Sequence, residues 1–127
     1  MGMAAAKQGD QIKAVDTHNI VPPSGPLVPT PHPFNGIIDG NLSPSVNIMG
    51  RAAATTGSTA TNTPAHVPIG GTFQKPPANR GTIQADRRTV FINGKPVARH
   101  GDKAMTCNDP TDVLAGTVVA TGTVMVG

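Results

Sequence analysis

The sequence predicts a small all-β domain of three similar hairpin units joined by long Pro-rich loops. Three observations predict it. Aromatic residues make up 2% of the 127-residue chain, three Phe with no Trp or Tyr, so the usual large pieces of buried surface are missing. The 15 Gly and 13 Pro resist helix interiors and long central strands. Disorder is nevertheless disfavoured, because disordered chains combine low hydrophobicity with high net charge and here only 13% of residues are charged. The third observation is an internal repeat, the first feature to seek in such a chain.

The clearest unit is the strand-like Thr89-Val90-Phe91-Ile92-Asn93 followed by Gly94-Lys95-Pro96-Val97-Ala98-Arg99-His100-Gly101-Asp102. An equivalent runs from Ser45-Val46-Asn47-Ile48-Met49 into Gly50-Arg51-Ala52-Ala53-Ala54-Thr55-Thr56-Gly57-Ser58. The third is split between the two ends: Thr123-Val124-Met125-Val126-Gly127 matches the strand, and Ala4-Ala5-Ala6-Lys7-Gln8-Gly9-Asp10 matches the second half of the unit. Between these lie Gly36-Ile37-Ile38-Asp39-Gly40, Gly81-Thr82-Ile83-Gln84-Ala85 and Gly116-Thr117-Val118-Val119-Ala120, short strands each entered through glycine. Helix is nearly absent. Residues 51–56 have some helical propensity, but equivalence with Pro96–Arg99 predicts extended backbone. Val21–Pro33, with six prolines in thirteen residues, reads as an extended, wrapped linker, and Pro64–Pro77 as a second loop of that kind. The whole is one domain, residues 1–127, with no appended effector domain expected.

The histidines and the cysteine keep step with the repeats. His18 lies eight residues after Asp10, His66 eight after Ser58, and Cys107 five after Asp102. About a pseudo-threefold axis, the three loops would meet at one end and bring these donors together. Zinc favours four tetrahedral N and S donors in a closed structural site. His32, held between Pro31 and Pro33, is the choice for the fourth; His100 is the alternative, at the repeat position filled by Gln8 and Thr56. One structural zinc would offset the missing aromatic core, with Cys107 a thiolate ligand rather than a nucleophile. Iron suits the same donors.

Other functions find little support. The ten Lys and Arg, for a net charge of +3, are scattered, and no aromatics interleave them for base stacking, so nucleic acid is not expected as a partner. Glu is absent, as are H-E-x-x-H and G-x-S-x-G; Asp10, Asp16 and Asp102 offer bases on paper, yet no enzyme is expected. No apolar run approaches the ~20 residues of a membrane span, and no signal-peptide h-region comes after Met1. Synthesis in the cytoplasm and export by another route are expected.

Val90–Asp102, with Asn93-Gly94-Lys95 leading into Pro96-Val97-Ala98-Arg99-His100-Gly101-Asp102, resembles the proline-alanine-alanine-arginine (PAAR) family. Val97 replaces the first Ala, and Ala54-Thr55-Thr56-Gly57-Ser58 has lost both Arg and Asp. The resemblance implies a pseudo-threefold cone of short strands that sits, as a monomer, on the blunt end of a trimeric β-helical (VgrG-like) spike of a type VI secretion system. It implies zinc near the point, held by three His and one Cys, export with the spike, effector attachment, and only transient contact with a target membrane. Spike contact is expected at Val90, Phe91, Ile92, Val124, Met125 and Val126. A phage-tail or other injection spike, or another trimeric partner, remains the alternative.

Overall fold

The computed structural model describes residues 2–85 and 90–126; Thr89 and Gly127 of the predicted strands lie outside the described residues. The elements are β1 (Met3–Ala4), β2 (Gln11–Val21), β3 (Val28–Gly40), β4 (Asn47–Ile48), β5 (Arg51–Ala52), β6 (Thr59–Asn62), β7 (Thr72–Phe73), β8 (Arg80–Gln84), β9 (Phe91–Ile92), β10 (Lys95–Pro96), β11 (Lys103–Thr106), β12 (Val113–Val119) and β13 (Met125–Val126). Among the described residues these strands pair antiparallel throughout. Strands β2, β3, β6, β8, β11 and β12 close on themselves, because β12 pairs back onto β2, forming a six-stranded barrel.

The threefold repeat is visible in the registers. Within the units Ile12 faces Gly36, Ala60 faces Gly81 and Ala104 faces Gly116. Between units Ile38 faces Ala60, Ile83 faces Ala104 and Val118 faces Ile12. All these residues are buried, so the barrel interior is filled in layers by Ile, Val, Ala and Gly. Ile12 is matched against two alanines, which lets three strand pairs close around a narrow bore. The glycines make room for neighbours: a Cβ on Gly36 would lie 2.7 Å from the Phe34 ring and 2.9 Å from the Ala60 methyl.

Beneath the barrel, the three repeat segments form a closed ring of backbone hydrogen bonds. Ala6 N–H donates to Ala98 O (2.9 Å), Ala98 to Ala54 O (3.0 Å) and Ala54 to Ala6 O (3.0 Å), and all three alanines are fully buried. The Gly-Asp steps turn the chain up into the barrel: Gly9, Gly57 and Gly101 all have φ near +90° (92°, 87° and 91°), which glycine adopts without a Cβ penalty. Each turn is capped by the next side chain, Asp10 Oδ2 accepting from Lys7 N (3.0 Å) and Asp102 Oδ2 from Arg99 N (2.9 Å). In the degenerate middle unit Ser58 Oγ accepts from Thr55 N at 2.9 Å. The lost Asp therefore costs the fold nothing in cap geometry.

At the far end of the ring lie three two-stranded ribbons: the hairpins β4–β5 and β9–β10, and β1–β13, which pairs strands from the two ends of the sequence. The first two turn through Met49-Gly50 and Asn93-Gly94, all with positive φ (52°, 81°, 53° and 79°), the combination that matches right-handed strand twist. Residues 51–56 hold no helical turn: β5 and its continuation are extended, as repeat equivalence predicts.

One expectation is corrected. The segment read as a wrapped linker, Val21–Pro33, becomes regular strand from Val28 onward, paired with β2 from Ile20↔Val28 to Val15↔Pro33. Pro29, Pro31 and Pro33 are tolerated because they share the parity of Asn35, whose N–H points away from β2, to Asn62 Oδ1 (2.8 Å). Their missing N–H groups face an open edge, the one place in a sheet where proline fits. The second loop holds β7, which pairs with Ile20 and Val21.

Candidate metal centre

The β2–β3 hairpin rises beyond the barrel, and its period of two sets what it presents inward. Asp16, His18 and Ile20 on β2, and His32 and Phe34 on β3, alternate with exposed or half-buried residues and are all buried. The loop after β6 brings His66 and the residue after β11 is Cys107, so all three pseudo-equivalent loops contribute.

Asp16, His18, His66 and Cys107 present one donor atom each within 4.8 Å of one another. His66 Nε2 lies 2.8 Å from Asp16 Oδ2, and Cys107 Sγ donates to the same oxygen at 3.4 Å. Thr106 Oγ1 (2.6 Å) and Asn108 Nδ2 (3.4 Å) donate to the other carboxylate oxygen. His32 is outside this four-donor set but against it: ring centres of His18, His32 and His66 form a triangle of 5.6, 5.0 and 5.6 Å. Three imidazoles around one ion with Zn–N near 2.0–2.1 Å place their centres roughly 5 Å apart. Phe73 covers His18 and His32, at 5.7 and 5.5 Å. A cavity of about 300 Å³, lined by His32, His66, Val67 and Ile69 among others, borders the cluster.

The residues fit a metal on three counts. First, His18 Nδ1 and Nε2 and His32 Nε2 are buried with no hydrogen-bond partner among the described residues. His32 Nδ1 lies 2.9 Å from Thr30 O, an acceptor, so that nitrogen carries the proton and Nε2 holds a free lone pair. Buried polar atoms are seldom left so. Second, the Cys107 sulfur receives hydrogen bonds from the backbone amides of Asn79 and Arg80, which favour a thiolate. Burial and then the Asp16 carboxylate nevertheless push the free thiol up to about 11, so a cation is needed to take the proton's place. Third, burial and then His66 lower the His18 pKa, keeping its ring neutral and able to donate a lone pair.

His100 is placed differently. Its backbone N–H donates to Ala4 O, as Gln8 does to Ala52 O and Thr56 to Pro96 O. Its Nδ1 accepts from Ala120 N at 3.1 Å, and it makes no ring contact with the other histidines among the described residues. Asp16, which the sequence offers only as a base on paper, is part of the cluster. Its signal is the Asp16-x-His18 spacing, which on a strand puts both side chains on one face.

Of the residues expected at the spike contact, Val90 (37%), Phe91 (49%), Val124 (41%) and Met125 (56%) are exposed on the basal ribbons. Ile92 is half-buried and Val126 is buried with Ala5, Ile48, Ala53 and Val97, so these two support that surface from beneath.

No curated protein and no solved structure matches the chain. A family model does, described as the PAAR motif, over residues 23–112. With an all-β threefold fold, the capped Gly-Asp turns and a match to more than half its length, this chain belongs to the PAAR motif family, a structural spike-tip family of contractile injection systems.

Proposed function

We propose that the protein caps a trimeric β-helical, VgrG-like spike as a non-enzymatic tip, carries one structural zinc ion, and offers its outer surface to effectors. The observation that carries the reading is the closed Ala6–Ala98–Ala54 ring, with one two-stranded ribbon for each member. A single chain with three like edges can meet three identical strand ends, which left open would template aggregation. Val90, Phe91, Val124 and Met125 supply exposed apolar contact there, and Met3 and Met49 add to it at 38% and 53% exposure.

At the opposite end His18, His32, His66 and Cys107 would hold the ion. When bound, it would cross-link three loops that start from different units, as structural metal ions do. The chain's own part is to keep the four side chains buried and the sulfur hydrogen-bonded.

The test is titration of a purified trimeric spike with the protein, read by mass photometry. One tip per three spike chains is expected, lost on Phe91→Asp with Met125→Asp while the variant keeps its metal and its circular dichroism. Unchanged binding by that variant would move the contact elsewhere.

A further inference from the structure

We propose that Asp16 is a direct donor to the metal, a fifth protein ligand beside the three imidazoles and the thiolate; the inference rests on the metal-centre reading above.

The carboxylate is completely buried, and among the described residues no Lys or Arg pairs with it. The flanking chain has none to offer, since residues 17–38 and 52–74 contain no Lys, Arg, Asp or Glu. A buried carboxylate needs a positive partner; His66 pairs with it at 2.8 Å, and an ion bound by His66 would take over that role. A dication held by three neutral imidazoles and one thiolate keeps one positive charge. Adding Asp16 offsets that charge, while the buried Asp109, 3.7 Å from His18 Nδ1, accepts from the Asn19 N–H at 2.8 Å.

Geometry puts the oxygen in the bonding position. His66 Nε2 and Cys107 Sγ both approach one atom, Asp16 Oδ2, at 2.8 and 3.4 Å. An ion that replaces the protons in these two contacts lies between nitrogen, sulfur and oxygen. In an outer role Asp16 would keep its contact with His66 Nε2 while the ion took Nδ1, an arrangement with one donor fewer that the donor count below separates. The rest of the carboxylate is held as ligating carboxylates are held: Thr106 Oγ1 and Asn108 Nδ2 occupy Oδ1 and turn Oδ2 inward.

The experiment compares the full chain with Asp16→Asn, which keeps the side-chain shape. Metal content and affinity are measured by competition with a chromophoric chelator. Donor number is read by X-ray absorption of the zinc form and visible spectra of the cobalt(II) form. Expected are five donors in the wild type, one of them sulfur, and four in the variant. The cobalt bands should gain intensity as coordination falls, with affinity at least about tenfold weaker. Four donors in the wild type, or an Asp16→Asn cobalt spectrum identical to wild type, overturns the assignment even if affinity drops. Should Asp16→Asn not fold, the wild-type donor count decides alone. A wild type that binds no metal refutes the centre itself, a result distinguishable from four-donor zinc.

Discussion

Replacing each of the three pseudo-equivalent barrel glycines with alanine should give three different results, although by sequence they occupy the same position. None has a positive φ, so alanine brings no backbone strain and, by restricting the unfolded chain, would stabilise by roughly 0.4–1 kcal/mol at a roomy site. The added methyl decides the rest. At Gly36 it would meet the Phe34 ring edge at 2.7 Å and the Ala60 Cβ at 2.9 Å. Neither can yield cheaply: Phe34 is fully packed and Ala60 has no torsion to turn. At Gly116 the contacts are 2.9 Å to Ile12, 3.0 Å to Thr106 and 3.1 Å to a backbone oxygen. At Gly81 they are only 3.3–3.4 Å, to Phe34 and Ile12. Overpacking of this kind costs about 1–3 kcal/mol. Gly36→Ala and Gly116→Ala should therefore lower the melting temperature by about 4–12 °C, and Gly81→Ala by no more than about 2 °C. The assay is thermal unfolding monitored by circular dichroism at one fixed zinc concentration. Gly36→Ala should also cost less in a Phe34→Leu background, a coupling that a double-mutant cycle measures. Equal shifts at all three positions, or no shift at Gly36, would refute the claim that Phe34 and Ile12 fill the bore unevenly.

The site itself carries three further expected outcomes. Chelation should lower the melting temperature by on the order of 10–20 °C, because removing an ion present at about a thousand times its Kd withdraws ~4 kcal/mol. Elemental mass spectrometry should find metal lost on Cys107→Ala, depleted on His32→Ala and retained on His100→Ala, since His100 bonds Ala120 rather than the other rings. In metal-free protein the thiol, raised to about 11 from an ordinary value of 9.0, stays protonated at neutral pH, so alkylation of Cys107 at pH 8 should be slower than that of an exposed thiol. A raised folded-state pKa contributes stability that is complete below pH 9 and lost as pH climbs toward 11. His18, lowered from 6.5, has the opposite sign: its contribution is present above pH 6.5 and lost as pH falls through the lowered value, so the metal-free fold should also loosen in acid. A melting temperature that stays constant from about pH 5 to about pH 11 would contradict both.

Much of the fold is legible in the chain because it is written three times. The Gly-Asp turn recurs where glycine has φ near +90° and the next side chain caps the turn, and the Gly-entered strands recur where, at Gly36 and Gly116, a methyl would strike its neighbours. His18, His66 and Cys107 stand out as candidate donors because they keep step with those turns, and folding brings them together. The proline-rich segment is harder. Proline content alone argues for a linker, and only the pairing with β2 and the open edge show that the missing N–H groups cost nothing. Asp16 is hidden for a related reason, since an aspartate is ordinary on a surface and extraordinary only when folding buries it among histidines and a cysteine.

Local repetition, turn chemistry and the absence of aromatic mass were thus determined by the sequence itself, because each depends on residue types alone or on residues a few positions apart. Closure of six strands into a barrel, the unequal filling of three like positions and the meeting of Asp16 with Cys107 were decided only by tertiary structure. Asp16 and Cys107 are ninety-one residues apart and the strands that close the barrel are farther apart still, and no local rule fixes which of several possible neighbours a loop will meet.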